Sequence, residues 1–256
     1  MRISLIQTDI AWADKAVNLQ KTEIALQALH NSTDLVVLPE MFTTGFCIDQ
    51  LNLAETMEGE TVQKLELWAR QYKMAITGSF IARENDKIYN RAFFVFPDGE
   101  IKTADKRHLF AVGGEHRYFS AGNEKLIVNY CGFNILVLVC YDVRFPVWSR
   151  NVQNEYDLLI YTASFPHVRM QAWDALLKAR AIENQSFVCG VNRVGVDGKN
   201  LDYSGHSVLL DFKGNELLSF DEYKAEIKTA EITTSELNKF RQKYAFWQDA
   251  DKFEIK

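Results

Sequence analysis

One segment near the middle of the chain, residues 133–146, most constrains the fold. Its first half is almost entirely apolar, which is typical of a strand buried on both faces in a layered α/β protein. The apolar run ends at Cys140, and the polar residues Asp142 and Arg144 follow at once. We therefore predict that Cys140 lies at the end of a central strand, where α/β proteins present side chains to a ligand-binding cleft. By itself, a cysteine at this position could also be a small buried core residue.

The net charge limits the classes of partner. The 256 residues carry a formal charge of −5, so neither nucleic acid nor an anionic membrane would be attracted by the net field of the protein. Hydrophobic residues make up 47% of the chain, which is enough for a complete core and argues against disorder. We therefore expect no nucleic-acid partner and no membrane partner.

The cysteines and the first residues bear on the cellular compartment. None of the cysteines forms a close Cys-x-x-Cys pair, so their spacing suggests neither a zinc site nor a redox dithiol. The first residues turn polar too soon for a signal peptide, and no apolar stretch approaches the roughly 20 residues of a membrane span. These features predict a soluble, cytoplasmic protein with reduced thiols. The four cysteines are Cys47, Cys131, Cys140 and Cys189.

Apolar periodicity predicts a mixed α/β protein with helices on the outer faces of its sheets. No linker, repeat or low-complexity segment divides the chain, so we expect residues 1–256 to form a single domain. The predicted helices are residues 15–30, 61–72, 170–184 and 234–244. The predicted strands are residues 3–8, 35–38, 74–80, 91–96, 100–105, 126–130, 133–140, 158–161, 186–192, 207–212, 216–220 and 225–232.

Three ionisable residues, Glu40, Lys106 and Cys140, each stand directly after a predicted strand. If these strands share one direction in one sheet, the three side chains meet at one edge. The apolar neighbours Met41 and Phe42 would raise the pKa of Glu40 toward the range of a general base. Each residue also has a simpler interpretation, with Glu40 as an exposed carboxylate and Lys106 as one solvated charge in a charged run.

A loop at residues 108–122 contains two adjacent glycines followed by Glu115, His116 and Arg117. Loops that combine flexible glycines with a carboxylate, an imidazole and a guanidinium often carry function. The same composition also suits a solvent-exposed turn, and the residues alone favour neither interpretation.

Three segments together resemble the signature motifs of the nitrilase superfamily. They are residues 38–42, 105–110 and 140–146, and they supply Glu, Lys and Cys in the order of that family. Each segment alone is weak support, but three in order with intact neighbours are specific. The likeness extends over nearly the whole chain. Further segments resemble the bacterial omega-amidase branch: residues 42–46, 77–79, 113–116, 146–151, 179–185 and 191–195.

The resemblance implies an α/β fold built as a four-layer α-β-β-α sandwich that assembles at least as a dimer. Enzymes of this branch release ammonia from the side-chain amides of short 2-oxo acids, so the expected substrate is 2-oxoglutaramate or 2-oxosuccinamate. The expected activity is that of a cysteine-dependent amidase, which forms a thioester and uses neither a metal nor an organic cofactor. The expected partner is thus a small anionic amide.

The resemblance also assigns roles to individual residues. Cys140 would be the nucleophile, and Glu40 would be the base that takes its proton. Lys106 would favour the thiolate and then stabilise the oxyanion, together with the backbone N–H of Tyr141. Glu115 would be a second carboxylate that holds Lys106 and the substrate amide in place.

The substrate-binding residues are predicted from their charge and position. Phe42 and Phe165 would flank the methylene chain of the substrate. Residues 163–166 depart from the Asn-Trp-Pro that is common in the branch, and we expect the altered positions near the pocket wall. A cationic lining suits an anionic substrate, and four basic residues would supply it: His116, Arg117, His167 and Arg169.

Other functions stay open at this point. Another hydrolase of the same superfamily would act on an aliphatic amide or an N-carbamoyl compound. A catalytically silent protein that binds small molecules on the same fold is a second alternative, although the intact Glu-Lys-Cys set argues against it. A Cys–His hydrolase would use a histidine as its base, and the candidates are His108, His116, His167 and His206.

The C-terminal segment, about residues 240–256, is richer in aromatic residues than a solvated tail. We predict that it packs across a second copy or back onto its own domain. The apolar face of the helix at residues 170–184 is a second candidate contact. Both features predict a homodimer or a higher homo-oligomer. The aromatic residues of the tail are Phe240, Tyr244, Phe246, Trp247 and Phe253.

Overall fold

The computed structural model describes residues 1–255, so Lys256 at the end of the predicted tail lies outside the described residues. The strands are β1 (Arg2–Gln7), β2 (Leu35–Val37), β3 (Ala75–Glu84), β4 (Lys87–Val95), β5 (Ile101–Asp105), β6 (Leu126–Tyr130), β7 (Phe133–Val139), β8 (Leu158–Ala163), β9 (Phe187–Asn192), β10 (Val194–Val196), β11 (Asp202–Ser204), β12 (Val208–Leu210), β13 (Glu216–Ser219) and β14 (Glu226–Glu231). The helices are α1 (Lys15–Ala28), α2 (Glu60–Tyr72), α3 (Pro146–Ser149), α4 (Met170–Asn184) and α5 (Thr234–Lys243). Across residues 1–255, no helix combines the length and the apolar character that crossing a bilayer requires.

Two six-stranded sheets form the centre of the molecule. The first has the strand order β14-β1-β2-β3-β4-β5, and the second has the order β13-β12-β9-β8-β7-β6. In each sheet three central strands are parallel, namely β1, β2 and β3 in the first and β7, β8 and β9 in the second. The remaining strands pair antiparallel at the edges. The two sheets therefore repeat one architecture.

The alternation of side chains along β2 shows how the layers arise. Leu35 and Val37 point into an apolar core that both sheets share, because strand side chains alternate between faces. Val36 points the other way and packs with Leu65 and Trp68 of α2. With α4 covering the second sheet, the layers are helix, sheet, sheet and helix, so the predicted four-layer sandwich is confirmed.

Helix α4 lies unusually close to β9. A Cβ atom at Gly190 would come within 2.5 Å of Leu177 and 2.8 Å of Trp173, so only glycine permits this approach. Trp173, Leu177 and Ala181 of α4 are thus buried in their own subunit, whereas Ile182 is 52% exposed. That this helix contributes to a contact with a second copy stays a prediction.

Two hairpins differ from the sequence prediction. Strand β3 extends to Glu84 and turns through Asn85, whose φ is +52°, directly into β4. Strand β4 therefore begins at Lys87, earlier than predicted, and includes Asn90. Asparagine is depleted in strands, which is why the pattern placed the strand start after it. The short hairpin β10–β11 was not predicted at all.

Candidate active site

Two sheets, rather than one, bring the predicted site residues together. Glu40 follows β2 and Lys106 follows β5, and these strands run in the same direction in the first sheet. Cys140 follows β7 in the second sheet. The backbone N–H of Glu40 donates to the carbonyl oxygen of Ala163 at the end of β8, at 3.4 Å. The expected single sheet edge is therefore corrected to a meeting of two sheets.

Cys140 begins a short 3-10 turn, Cys140–Arg144, immediately after β7. Its φ is +44°, in the left-handed region that costs a non-glycine residue about 1–3 kcal/mol. The carboxylate of Asp142 stabilises this turn, because it accepts hydrogen bonds from the backbone N–H groups of Val139 and His108, both at 3.1 Å. The second bond also ties the turn to the segment that carries Lys106.

A buried cluster of three charged groups lies beside this turn. The Nζ atom of Lys106 is 2.9 Å from Oε1 of Glu40. It is also 2.9 Å from Oε2 and 3.2 Å from Oε1 of Glu115. None of these side chains has exposed surface. Buried charges are tolerated only when paired, so the two carboxylates and the ammonium require one another.

Backbone and amide donors complete the hydrogen bonding of the two carboxylates. The side-chain Nδ2 of Asn90 donates to Oε1 of Glu40 at 2.7 Å and to Oε1 of Glu115 at 3.3 Å. The backbone N–H of Ser164 donates to Oε2 of Glu40 at 2.9 Å, and that of Phe110 donates to Oε2 of Glu115 at 2.6 Å. Sequence reasoning did not single out Asn90, whereas Ser164 lies in the segment expected at the pocket wall.

The cluster determines which groups are charged at rest. Burial disfavours the Lys106 ammonium, but Glu115 and Glu40 outweigh it and raise the pKa of Lys106 above its ordinary value. Burial raises the pKa of Glu40, with Glu115 adding to the effect and Lys106 opposing it. The direction for Glu40 agrees with the sequence expectation, and its main cause is burial rather than apolar neighbours.

The surroundings of Cys140 disfavour the thiolate form of its side chain. Burial is the main reason that its pKa is raised well above the ordinary value, and Glu40 raises it further while Lys106 lowers it. Lys106 thus acts in the predicted direction, toward the thiolate, but burial and Glu40 outweigh it.

One pocket contains both the ammonium of Lys106 and the thiol of Cys140. Of the predicted substrate-binding residues, Phe165 and Arg169 line it. Ser164 also lines it, so the altered positions of segment 163–166 do lie at the pocket wall, as expected. Lining residues that sequence reasoning did not assign to substrate binding are Phe46, Ile48, Phe110, Arg144, Asp197, Lys199, Leu201 and Tyr203.

Two guanidinium groups in this pocket have aromatic neighbours but no acidic partner. Arg144 lies over the ring of Phe165 with its Cζ 5.5 Å from the centroid, and Arg169 lies over the ring of Phe110 at 4.7 Å. Within residues 1–255, neither guanidinium forms an ion pair with a carboxylate. Lys199, which also lines the pocket, is instead paired with Asp49 at 3.1 Å. The two arginines therefore bring positive charge that no carboxylate pairs into the pocket that holds Cys140.

Four of the residues predicted to bind substrate do not line the pocket: Phe42, His116, Arg117 and His167. Arg117 and His167 are exposed. Phe42 is buried between the first sheet and its helices, where its ring meets that of Phe93 with 5.9 Å between centroids. The preceding residue Met41 has a φ of +47°, which turns the chain so that Phe42 faces away from the pocket. His116 is exposed and does not line the pocket, because only Glu115 in that short turn points inward.

Tyr141 lies beside the nucleophile position and lines the pocket. Its ring contacts those of Phe110 and Phe145 edge-on, with 5.1 Å between centroids in each case. Its backbone N–H belongs to the first turn of a 3-10 segment, where N–H groups lack an acceptor within the helix. Its role as an oxyanion donor stays a prediction that fits this position.

None of the candidate histidine bases lines the pocket that contains the thiol. The Nδ1 atom of His108 faces Asp142, 2.8 Å from its Oδ1. His167 and His206 bond to side chains outside the pocket, and His116 is exposed. The arrangement thus disfavours a Cys–His hydrolase and favours a carboxylate as the base.

Several known proteins are similar to this chain over nearly its whole length. The family model described as carbon-nitrogen hydrolase matches residues 2–242. Omega-amidase YafV of Escherichia coli K12 is 40% identical over 255 residues, covering 100% of this chain and 98% of that protein. The 2-oxoglutaramate amidase of Bacillus subtilis 168 is 33% identical over 254 residues, covering 98% and 97%. A solved structure of a CN-hydrolase superfamily protein from Xanthomonas campestris superposes with a TM-score of 0.98 at 40% identity, covering 100% of this chain and 99% of that one.

The raised pKa of the Cys140 thiol predicts the thiolate content of the protein. Because the group stays protonated as the pH rises to its ordinary value of 9.0, Cys140→Ser should remove no thiolate absorbance below that pH. Glu40→Gln removes a negative charge that raises the pKa of the thiol, so thiolate should appear at lower pH in that variant. The measurement is an ultraviolet thiolate titration.

Cys131→Ser is the matched control for that titration. Cys131 is an exposed free cysteine outside the pocket, so its replacement leaves the surroundings of Cys140 unchanged. If Cys140→Ser loses thiolate absorbance near neutral pH relative to the wild type, the pKa of the Cys140 thiol is not raised and the prediction is wrong.

Proposed function

The chain belongs to the carbon-nitrogen hydrolase family and is a hydrolase of carbon–nitrogen bonds, and we propose that within this class it is a cysteine-dependent omega-amidase. The family assignment confirms the resemblance to the nitrilase superfamily that the three sequence segments predicted. We further propose that residues 1–256 act as one catalytic domain in the cytoplasm. The proposed substrate is 2-oxoglutaramate or 2-oxosuccinamate.

The observation that carries the proposal is the shared location of a thiol and a buried carboxylate–ammonium cluster. Cys140 and Lys106 line the same pocket, and Glu40 lies behind them within hydrogen-bond distance of Lys106. Amide hydrolysis needs a nucleophile, a base and a group that stabilises an oxyanion. The three residues supply one of each.

We propose the following first half-reaction. Glu40 takes the proton of the Cys140 thiol as Sγ attacks the carbonyl carbon of the substrate amide. The resulting oxyanion accepts hydrogen bonds from Nζ of Lys106 and the backbone N–H of Tyr141. Glu40 then passes its proton to the departing nitrogen, so that ammonia leaves and a thioester on Cys140 remains.

The second half-reaction returns the enzyme to its starting state. Glu40 removes a proton from a water molecule as that water attacks the thioester carbon. The second oxyanion collapses with loss of the thiolate, which takes its proton back from Glu40. In this scheme Glu115 keeps Lys106 charged and in place, which its contacts of 2.9 and 3.2 Å with Nζ support.

The unpaired guanidinium groups support an anionic substrate. Arg144 and Arg169 line the pocket without a carboxylate partner in residues 1–255, so a substrate carboxylate would meet uncompensated positive charge there. Arginine is also the side chain best suited to bidentate carboxylate binding. The ring of Phe165 would then contact the short methylene chain. One relative is named for 2-oxoglutaramate itself, which agrees with this choice of substrate.

We also propose that the enzyme self-associates through its C-terminal tail. Phe240 packs onto Phe212, but the rings beyond it stay largely open to solvent. Phe246 is 61% exposed and Phe253 is 43% exposed, and both border a groove with Val147, which is 54% exposed. We call these three residues the tail patch. A second copy is the proposed occupant, since exposed clusters of large apolar side chains mark interaction sites.

The covalent mechanism predicts the effect of single substitutions on ammonia release. Cys140→Ala should abolish turnover, and Glu40→Gln should lower kcat by about 10²–10⁴-fold because the base is lost. Mass spectrometry of a slow substrate should find the acyl group on Cys140. Cys189→Ala, another buried cysteine, is the control and should stay active. Substantial turnover by Cys140→Ala would refute the mechanism.

The anionic-substrate proposal predicts a loss of discrimination in arginine variants. Wild-type kcat/KM should be higher for 2-oxoglutaramate than for a neutral amide of equal length. Arg169→Met and Arg144→Met should each lower kcat/KM for the anionic amide by roughly 10- to 100-fold, the worth of a charged hydrogen bond, with little change for the neutral amide. Arg150→Met, outside the pocket, is the matched control. A preference for the neutral amide would favour the aliphatic-amide alternative.

The tail patch predicts a dimer or larger assembly in light scattering at micromolar concentration. Phe246→Ser should shift the mass toward the monomer, because the substitution removes the most exposed ring of the patch. Ile24→Ser is the matched control, since Ile24 is 60% exposed on α1 and lies outside the patch. A monomeric wild type, or an equal effect of both substitutions, would count against this interface.

A further inference from the structure

Asn90 contacts both carboxylates of the buried cluster and carries no charge itself. We propose that Asn90 is a positioning residue, which keeps Glu40 and Glu115 as two separate carboxylates around Lys106 and so leaves Glu40 free to act as the base. The inference rests on the proposed function in one respect, which is that Glu40 serves as the base for Cys140.

The geometry uses both hydrogens of one amide group. Nδ2 of Asn90 lies 2.7 Å from Oε1 of Glu40 and 3.3 Å from Oε1 of Glu115. Lys106 approaches the same two oxygens, at 2.9 and 3.2 Å. An amide and an ammonium thus both bridge the carboxylates. The two donors act on the same pair of atoms.

The amide of Asn90 directs its nitrogen toward the two carboxylates even though this leaves its oxygen without a hydrogen-bond donor. Asn90 has no exposed surface, and its Oδ1 has no donor within the described residues. An unsatisfied buried acceptor is rare and calls for an explanation. The reverse orientation would place Oδ1 against two carboxylates, which would be worse. The cluster therefore determines the orientation of the amide.

A donor between the carboxylates has a direct consequence for proton transfer. Two carboxylates in one buried site tend to share a proton, because their like charges disfavour double ionisation. The groups that face Glu40 are Lys106, Glu115 and the thiol of Cys140, and only Lys106 is cationic. The amide NH₂ group of Asn90 adds positive potential beside the carboxylates, in addition to that of Lys106. Unlike an ammonium, an amide does not lose a proton as the pH rises.

The side chain and the backbone of Asn90 do different things. Its backbone carbonyl accepts a hydrogen bond from the N–H of Lys106 at 2.9 Å, which aligns the strand end that carries the ammonium. A side-chain substitution leaves this bond in place. The role of the amide can therefore be tested apart from the path of the backbone.

The test is the pH dependence of Cys140 alkylation by iodoacetamide, followed on the full chain by mass spectrometry. In the wild type the alkylation rate should rise with pH as Glu40 loses its proton. Asn90→Leu has similar volume but no donor, so this rise should move to higher pH by about one unit or more. Asn90→Asp keeps the shape and adds a third carboxylate, so the rise should move at least as far.

Asn151→Leu is the control for a purely structural asparagine. Asn151 is also buried, and its Nδ2 donates only to the backbone carbonyls of Tyr156 and Asn184, at 2.9 and 3.1 Å. This variant should lower the melting temperature without moving the pH profile. If Asn90→Leu does not fold, the isosteric Asn90→Asp decides the question. An unmoved profile in the folded Asn90 variants, with only a uniform loss of rate, would overturn the inference.

The alkylation readout does not depend on the natural substrate. Suppose that alkylation of the wild type depends on pH, and that Asn90→Leu shifts this dependence, but that the wild type does not hydrolyse 2-oxoglutaramate. This result would overturn the proposed substrate and support the role of Asn90. A Glu40→Gln variant with the wild-type alkylation profile would overturn Glu40 as the base, and the inference with it.

Discussion

The buried ammonium of Lys106 is the interaction on which the rest of the site depends. A lysine without exposed surface is stable only with carboxylates beside it, and removing one partner of such a pair costs about 3–5 kcal/mol. Glu40 and Glu115 reach it from separate parts of the chain, one after β2 and one from the loop beyond β5. The need to pair this charge therefore constrains both segments, and it orders the pocket wall before any substrate arrives.

In the mechanism that we propose, the same cluster lets a thiol with a raised pKa act as the nucleophile. In this closed environment burial raises the pKa values of both Cys140 and Glu40. A thiolate made in advance would be a third negative charge around one ammonium. We infer that the proton moves only when the substrate carbonyl offers Sγ a bond, since the new negative charge then forms on an oxygen that Lys106 can contact.

The residues that line the pocket come from the ends of strands in both sheets and from the hairpin β10–β11. The left-handed turn at Cys140 comes from the second sheet, and Glu40 and Lys106 come from the first. The wall opposite is formed partly by the hairpin β10–β11, which carries Tyr203. The pocket therefore forms only when the two sheets pack against each other. Aromatic rings and two guanidinium groups then line it.

The sequence by itself predicted most of the strands and helices and the three residues of the proposed catalytic set. Alternation and apolar runs are local properties, so they predicted the elements without knowledge of the fold. Glu40, Lys106 and Cys140 were predictable for the same reason, because each stands in a short motif at a strand end.

Only the tertiary structure decided which other residues belong to the site. Phe42 turned out to face the helices because the left-handed residue Met41 reverses the direction of the chain, and such a φ angle leaves no mark in composition. Asn90 reaches the site through a contact with Glu40, which is far from it in the chain. The partners of a side chain depend on how sheets pack, and packing is a property of the whole chain rather than of any local pattern.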